Sequence, residues 1–144
     1  MEKSAKTRKF LIATHGTFAA GAKSSLDIII GDMEHVFLIQ AYIDETVSVE
    51  TQINEVMAQV SDTDELVVFT DILGGSITNQ ILQHALKPNV YVVSGFNLPL
   101  LIEVLMADAE TPAEEVITSA LENAKEQMTY VNKLLTAQKE DQDD

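Results

Sequence analysis

The sequence predicts a doubly wound α/β domain: a mainly parallel sheet in the order 2-1-3-4, with room for an extra antiparallel edge strand, and helices on both faces. Three observations predict it. Short apolar runs alternate with stretches of helical periodicity at least four times, which a parallel sheet with crossover helices accommodates most economically. The run Leu66 to Phe69 is continuous and rich in β-branched and aromatic residues, as strands buried on both faces are. At 144 residues with 46% hydrophobic content, the chain suits one domain with a proper core.

The first strand is read in Phe10 to Ala13, a short apolar run that continues through Thr14 to His15 and Gly16. His15 is therefore expected where the strand leaves the sheet, and Gly16 lets the backbone turn there. Phe18, Ala22, Leu26 and Ile29 then recur at helical spacing, and Gly31 stands at the expected stop. The free N–H groups at the start of that helix would point back toward His15 and offer a seat for an anion. Val36 to Ala41 reads as the second strand, with a polar turn at Asp44, Glu45 and Thr46. Val49, Ile53, Val56, Met57 and Val60 repeat with helix period behind Glu50, whose charge suits a helix start.

Leu66 to Phe69 is the third strand, and it ends in Thr70 and Asp71. Ile72 and Leu73 lead into Gly74, Gly75 and Ser76, after which Ile77, Ile81, Leu82 and Ala85 form a helical stripe closed by Pro88. Val90 to Val93 is the fourth strand, ended by Gly95. Asn97 can cap the next helix, with Pro99 in its first turn and Leu101, Ile102, Leu105 and Met106 on its buried side. Thr111-Pro112-Ala113-Glu114 reads as a capping box with proline at the first helical position. From Val116, one apolar stripe through Ile117, Ala120, Leu121, Ala124, Met128, Val131 and Leu135 predicts a helix of some six turns. A single domain is expected over residues 1–144, with the basic segment 1–8 and the acidic tail 136–144 frayed.

Composition excludes several classes of function. There are no cysteines, so disulfides, thiolate metal sites and thiol catalysis are out, and the cytosol is the expected home. The apolar run behind the basic N-terminus is too short for a signal-peptide core or a membrane span. Nine basic residues against 23 acidic give a net charge of −14, and four of the nine, Lys3, Lys6, Arg8 and Lys9, fall in the first nine positions. Such a surface repels nucleic acid and anionic lipid and suits a partner with a basic face, or serves solubility alone.

In a doubly wound sheet, ligands bind beyond the carboxyl ends of the strands, where successive connections diverge to opposite faces. For the order 2-1-3-4 that point lies between strands one and three, which end in His15 and Asp71. A carboxylate that accepts a hydrogen bond from one imidazole nitrogen fixes the tautomer and makes the other nitrogen the nucleophile. Gly74, Gly75 and Ser76 can offer backbone N–H groups and a hydroxyl to a phosphoryl group. Neither loop carries Lys or Arg. His35 and His84 read as ordinary surface or half-buried histidines, and the methionines as core. No histidine pair has ligand spacing, so no metal site is expected.

These residues resemble the mannose-type enzyme IIA domain of the bacterial phosphoenolpyruvate-dependent sugar phosphotransferase system. The similar features are ATHG in the first strand, TDILGGSITN around Asp71, and GFNLPLLIEVL after the fourth strand, together covering about Phe10 to Ala107. The resemblance implies that His15 accepts a phosphoryl group from the carrier protein HPr and passes it to a IIB component during sugar uptake, with no cofactor. It implies Asp71 as the histidine's partner, Gly75 and Ser76 beside the phosphate, where the residues themselves also suggest Gly16 and Gly74, and Phe96, Asn97, Leu98 and Pro99 on the crevice rim. It implies a cytoplasmic homodimer that meets the membrane IIC and IID components only within the transporter complex; since neither a linker nor a fused IIB domain is read in the sequence, IIB is expected on a separate chain. In some members a C-terminal strand is exchanged between subunits, and this chain has little apolar sequence after Leu135 to supply one.

Three rivals stand beside this reading. A phosphoaspartate receiver would use Asp71 as acceptor, but it needs an acidic cluster after the first strand, where this chain has Ala13-Thr14-His15. A non-catalytic regulator would bind a small anion in the same crevice. A carrier domain feeding dihydroxyacetone kinase is a nearer relative, and the Gly74-Gly75 pair and the Asn97-Leu98-Pro99 segment look more like the sugar-transport branch.

Overall fold

The computed structural model describes residues 6–143. Four strands, β1 (Arg8–His15), β2 (Val36–Ala41), β3 (Glu65–Thr70) and β4 (Val90–Ser94), form a parallel sheet in the order β2-β1-β3-β4. Among the described residues no antiparallel edge strand joins it. β3 is buried along its whole length, as its continuous apolar sequence requires.

The strand alternation divides the core into two. Phe10 and Ile12 of β1, with Val67 and Phe69 of β3, pack against α1 (Phe18–Ile30), α4 (Leu98–Met106) and α5 (Ala113–Glu126). Leu11, Ala13, Leu66 and Val68 point the other way and pack against α2 (Val49–Met57) and α3 (Ser76–Ile81). Thus β1 leads into a helix on one face and β3 into a helix on the other, which makes the space between their ends the switch point.

Local chemistry sets the helix starts. The Ser48 hydroxyl accepts the Thr51 N–H at the head of α2, and the Asn97 side chain accepts the Leu100 N–H at the head of α4. The Thr14 hydroxyl accepts the Ala19 N–H at 2.8 Å and so ties the first turn of α1 to β1. The Thr78 hydroxyl lies 2.8 Å from both Thr70 Oγ1 and the Ile72 carbonyl, pinning the turn after β3 to the strand end.

Several expectations need correction. The predicted six-turn helix is two helices, α5 and α6 (Val131–Asp143), separated at Gln127–Tyr130. Burial on α5 ends at Ala124, and Met128, Val131 and Leu135 are exposed, because no sheet lies beneath that length of chain to receive the stripe. The segment 136–143, expected to fray, continues α6 as helix. Thr111 is not a side-chain cap: Pro112 occupies the N-cap of α5 without a cap bond, and the Thr111 carbonyl instead accepts from Arg8. α3 is shorter than its stripe and passes at Leu82–His84 into a 3₁₀ turn, with Leu82 exposed. Phe18 and Ile29 on α1 and Met106 on α4 face solvent; Ala19 and Leu100 take the buried positions their neighbours were expected to fill.

The basic N-terminal segment also differs from expectation where it is described. Arg8 begins β1, buried opposite Glu65 in the β1–β3 register, with its Nε 3.0 Å from Glu65 Oε1. Its remaining N–H groups donate to the carbonyls of Asp108, Ala109 and Thr111, clamping the α4–α5 connection. Lys9 pairs with Asp64 at 2.9 Å. Residues 1–5 and Asp144, part of the segments expected to fray, lie outside the described residues.

Candidate functional site

β1 delivers His15, and the turn after β3 delivers Asp71, to one crevice at the carboxyl end of the sheet. The two meet closely: Asp71 Oδ2 lies 2.9 Å from His15 Nδ1 and accepts the His15 backbone N–H at 2.9 Å. One carboxylate oxygen thus fixes both the main chain and the ring. Burial pushes the Asp71 carboxyl up, but the hydrogen bonds from His15 outweigh it and hold the group below its ordinary value. Ionised, Asp71 can only accept, so Nδ1 carries the proton and Nε2 of the neutral ring keeps its lone pair. Asp71 has only 9% of its side chain exposed, against 40% for His15: the orienting group is shielded and the ring reaches solvent.

Gly16 stands at φ +58 and donates its N–H to the Ala41 carbonyl at 2.9 Å. Its amide is therefore committed to β2, and its contribution to the crevice is the left-handed turn itself. Gly74 takes φ +78 and turns the chain into α3. Gly75 lies against the ring: a Cβ there would stand 3.6 Å from His15 Cε1 and 3.3 Å from the Ile72 carbonyl oxygen. Its N–H donates to that same carbonyl, which leaves the amides of the following turn as the ones without helical partners. The Ser76 hydroxyl, next in the chain, hydrogen-bonds the hydroxyl of Tyr42.

The expected rim residues divide between roles. Phe96 stacks on Phe18, with ring centroids 5.3 Å apart, and Leu98 packs beside it against the core. Asn97 caps α4 and donates its side-chain N–H to the Ala124 carbonyl at 2.9 Å, so it joins α4 to α5. Pro99 lines a surface cavity of about 550 Å³ between α4 and α5 that includes neither His15 nor Asp71. His35 precedes β2 at φ +64, and His84 lies beside Lys87 in the 3₁₀ turn; neither approaches the crevice. Among the described residues no group of His, Asp and Glu is arranged to hold a metal ion, and no helix is long and apolar enough to cross a membrane.

Tyr42 is the crevice residue that sequence reasoning missed. It follows β2 directly, and its ring centroid lies 5.6 Å from that of His15. The available signal was topological: β2 neighbours β1, so the residue after β2 must emerge beside the residue ending β1.

Comparison with known proteins agrees with this architecture. Residues 9–121 match the EIIA-man family, described as the PTS system fructose IIA component. The PTS system mannose-specific EIIAB component of Escherichia coli K12 is 32% identical over 125 residues, covering 83% of this chain. This chain spans only 38% of that relative's length. A crystal structure from Klebsiella pneumoniae, named for a sugar phosphotransferase system permease, superposes with a TM-score of 0.87 at 36% identity, covering 94% of this chain and 98% of the other. The PTS IIA protein associated with the fucose utilization operon of Streptococcus pneumoniae gives 0.78 at 27% identity, covering 92% and 99%. The α/β sheet, the residues at its switch point and these relatives agree: the chain belongs to the mannose-type enzyme IIA family of the sugar phosphotransferase system.

Proposed function

We propose that this IIA domain is a phosphohistidine carrier, taking a phosphoryl group from HPr onto His15 and passing it to a IIB component during uptake of a sugar. The observation that carries the reading is the Asp71 carboxylate oxygen 2.9 Å from His15 Nδ1, which leaves Nε2 of a ring that is 40% exposed as the nucleophile. In the forward step the Nε2 lone pair forms the new P–N bond while the P–N bond to the donor histidine breaks. In the return step Nε2 is the leaving group, and the same bond is made to the IIB acceptor. Nδ1 keeps its proton throughout, so the phosphorylated ring is cationic and Asp71 balances it. Such a transfer is mainly positioning and charge stabilisation, and a ring held between a strand end and a shielded carboxylate is already positioned.

Family membership supports HPr and IIB as partners, and the acid-rich surface suits a donor with a basic face. The same reading makes the protein a cytoplasmic homodimer that reaches the membrane through IIC and IID. The names of the relatives above, one mannose-specific and one tied to a fucose operon, support a role in sugar uptake and leave the sugar open. The test is a two-step transfer. Labelled phospho-HPr should phosphorylate the protein, and addition of a IIB component should discharge it; a protein that binds phosphate yet gains no covalent label would be a regulator instead.

A further inference from the structure

Tyr42 occupies a costly place. Its backbone stands at φ +67, a left-handed conformation that an aromatic residue adopts only against steric resistance. Its side chain is 56% exposed, so burial does little to offset that cost. Conformations of this kind persist at functional sites, where surrounding contacts hold them. The contact here is the hydrogen bond from β2's end across the crevice to the Ser76 hydroxyl, with the ring beside His15.

The position of that bridge matters. Nε2 is bonded to Cε1, and Cε1 faces Gly75, the residue before Ser76. The Tyr42–Ser76 bridge therefore lies beside the ring near Cε1, the carbon to which Nε2 is bonded. A phosphoryl group arriving on Nε2 would bring close to two negative charges and three acceptor oxygens. The loops from Ala13 to Phe18 and from Asp71 to Asn79 contain no lysine or arginine to meet them. In the bridge one hydroxyl donates to the other, so one of the two protons is spent on a neutral partner.

We propose that Tyr42 joins Ser76, the hydroxyl already expected beside the phosphate, as a second donor to the phosphoryl group: their mutual hydrogen bond opens when His15 is phosphorylated, and each hydroxyl then donates to a phosphoryl oxygen. The inference rests on the phosphohistidine reading of His15. No covalent bond changes beyond that transfer; two neutral hydroxyls replace the missing cation. The empty-site bridge keeps both donors near their working positions, so little reorganisation is needed when charge arrives.

Tyr42→Phe keeps the ring and removes the donor. Hydrogen bonds to charged groups are about twice as strong as neutral ones, so its loss should shift the phosphoryl partition between HPr and this protein roughly tenfold toward HPr. The second ionisation of the phosphoryl group, followed by ³¹P NMR on the phosphorylated protein, should move to higher pH, a change that a purely structural tyrosine would not produce. Ser76→Ala should move both readouts in the same direction, and it carries the test if Tyr42→Phe does not fold. Wild-type partition and an unchanged ³¹P titration in folded Tyr42→Phe would overturn the role of Tyr42 as donor while leaving the carrier reading intact. Failure of the wild-type protein to take phosphoryl from phospho-HPr at all would overturn both.

Discussion

Replacing Asp71 with asparagine tests the charge rather than the shape of the orienting group. An asparagine oxygen can still accept from the His15 main chain or ring, so the fold should survive, with a stability loss of about 1 kcal/mol or less. What disappears is the negative charge 2.9 Å from Nδ1, opposite a ring that becomes cationic when Nε2 bonds to phosphorus. At that separation the Coulomb energy is about 1.4 kcal/mol in water and about 5.7 kcal/mol at an effective dielectric of 20. The ring is 40% exposed, which places the pair nearer the wet limit, at about 2 kcal/mol. That corresponds to a transfer roughly 30-fold slower. The amide can also turn its NH₂ toward Nδ1 and favour the wrong tautomer, which slows transfer further. Rapid-quench measurement of label moving from phospho-HPr reads the rate directly, and a thermal melt verifies the fold. Transfer within twofold of wild type, in a folded Asp71→Asn protein, would refute the role of Asp71 as counter-charge.

Gly75→Ala sets a methyl 3.3 Å from the Ile72 carbonyl oxygen and 3.6 Å from His15 Cε1, so transfer should fall about tenfold with little change in urea midpoint, as expected for a small misplacement of reacting groups. At the opposite end of the sheet, Glu65→Ala leaves the buried Arg8 guanidinium without its carboxylate and should cost about 3–5 kcal/mol in urea unfolding. Phosphoryl transfer by the folded fraction should be unaffected. Asp64 is held below its ordinary 3.8 by the Ser61 N–H first and by Lys9 second, and Asp71 lies below 3.8 as well. Their stabilisation is complete above the unfolded carboxylate value and drains away as pH falls through the lowered ones; Asp64→Asn should therefore flatten the loss of stability between about pH 5 and pH 2, measured by urea titration at each pH.

The sequence made the strands legible because burial on both faces writes itself as unbroken apolar runs, as in Leu66 to Phe69. It made the His15–Asp71 pair legible because chain order and the direction of each crossover decide which strand ends meet. Helix ends were harder to read. Nothing between Gln127 and Tyr130 marks a break, since neither Gly nor Pro stands there, and Met128 and Val131 keep the helical phase; only the absence of a surface beneath them ends the packing. Arg8 was misread because its charge counted toward a basic segment, although an arginine and a glutamate at facing positions of neighbouring strands could have signalled the buried pair. Strand order could have placed Tyr42 beside His15, but its left-handed conformation was not legible. A tyrosine carries no local preference for positive φ, so its conformation depends on contacts that only the assembled crevice supplies.

In the proposed function the phosphoryl group is carried by His15. The direct measurement is to phosphorylate the protein from phosphoenolpyruvate through enzyme I and HPr, then locate the group by peptide mapping and by the stability of its linkage. Label is expected on the peptide containing His15, lost in acid, retained in alkali, and absent from His15→Ala. Label that persists in His15→Ala, or that hydroxylamine removes under conditions sparing phosphohistidine, would contradict that reading and make Asp71 the acceptor.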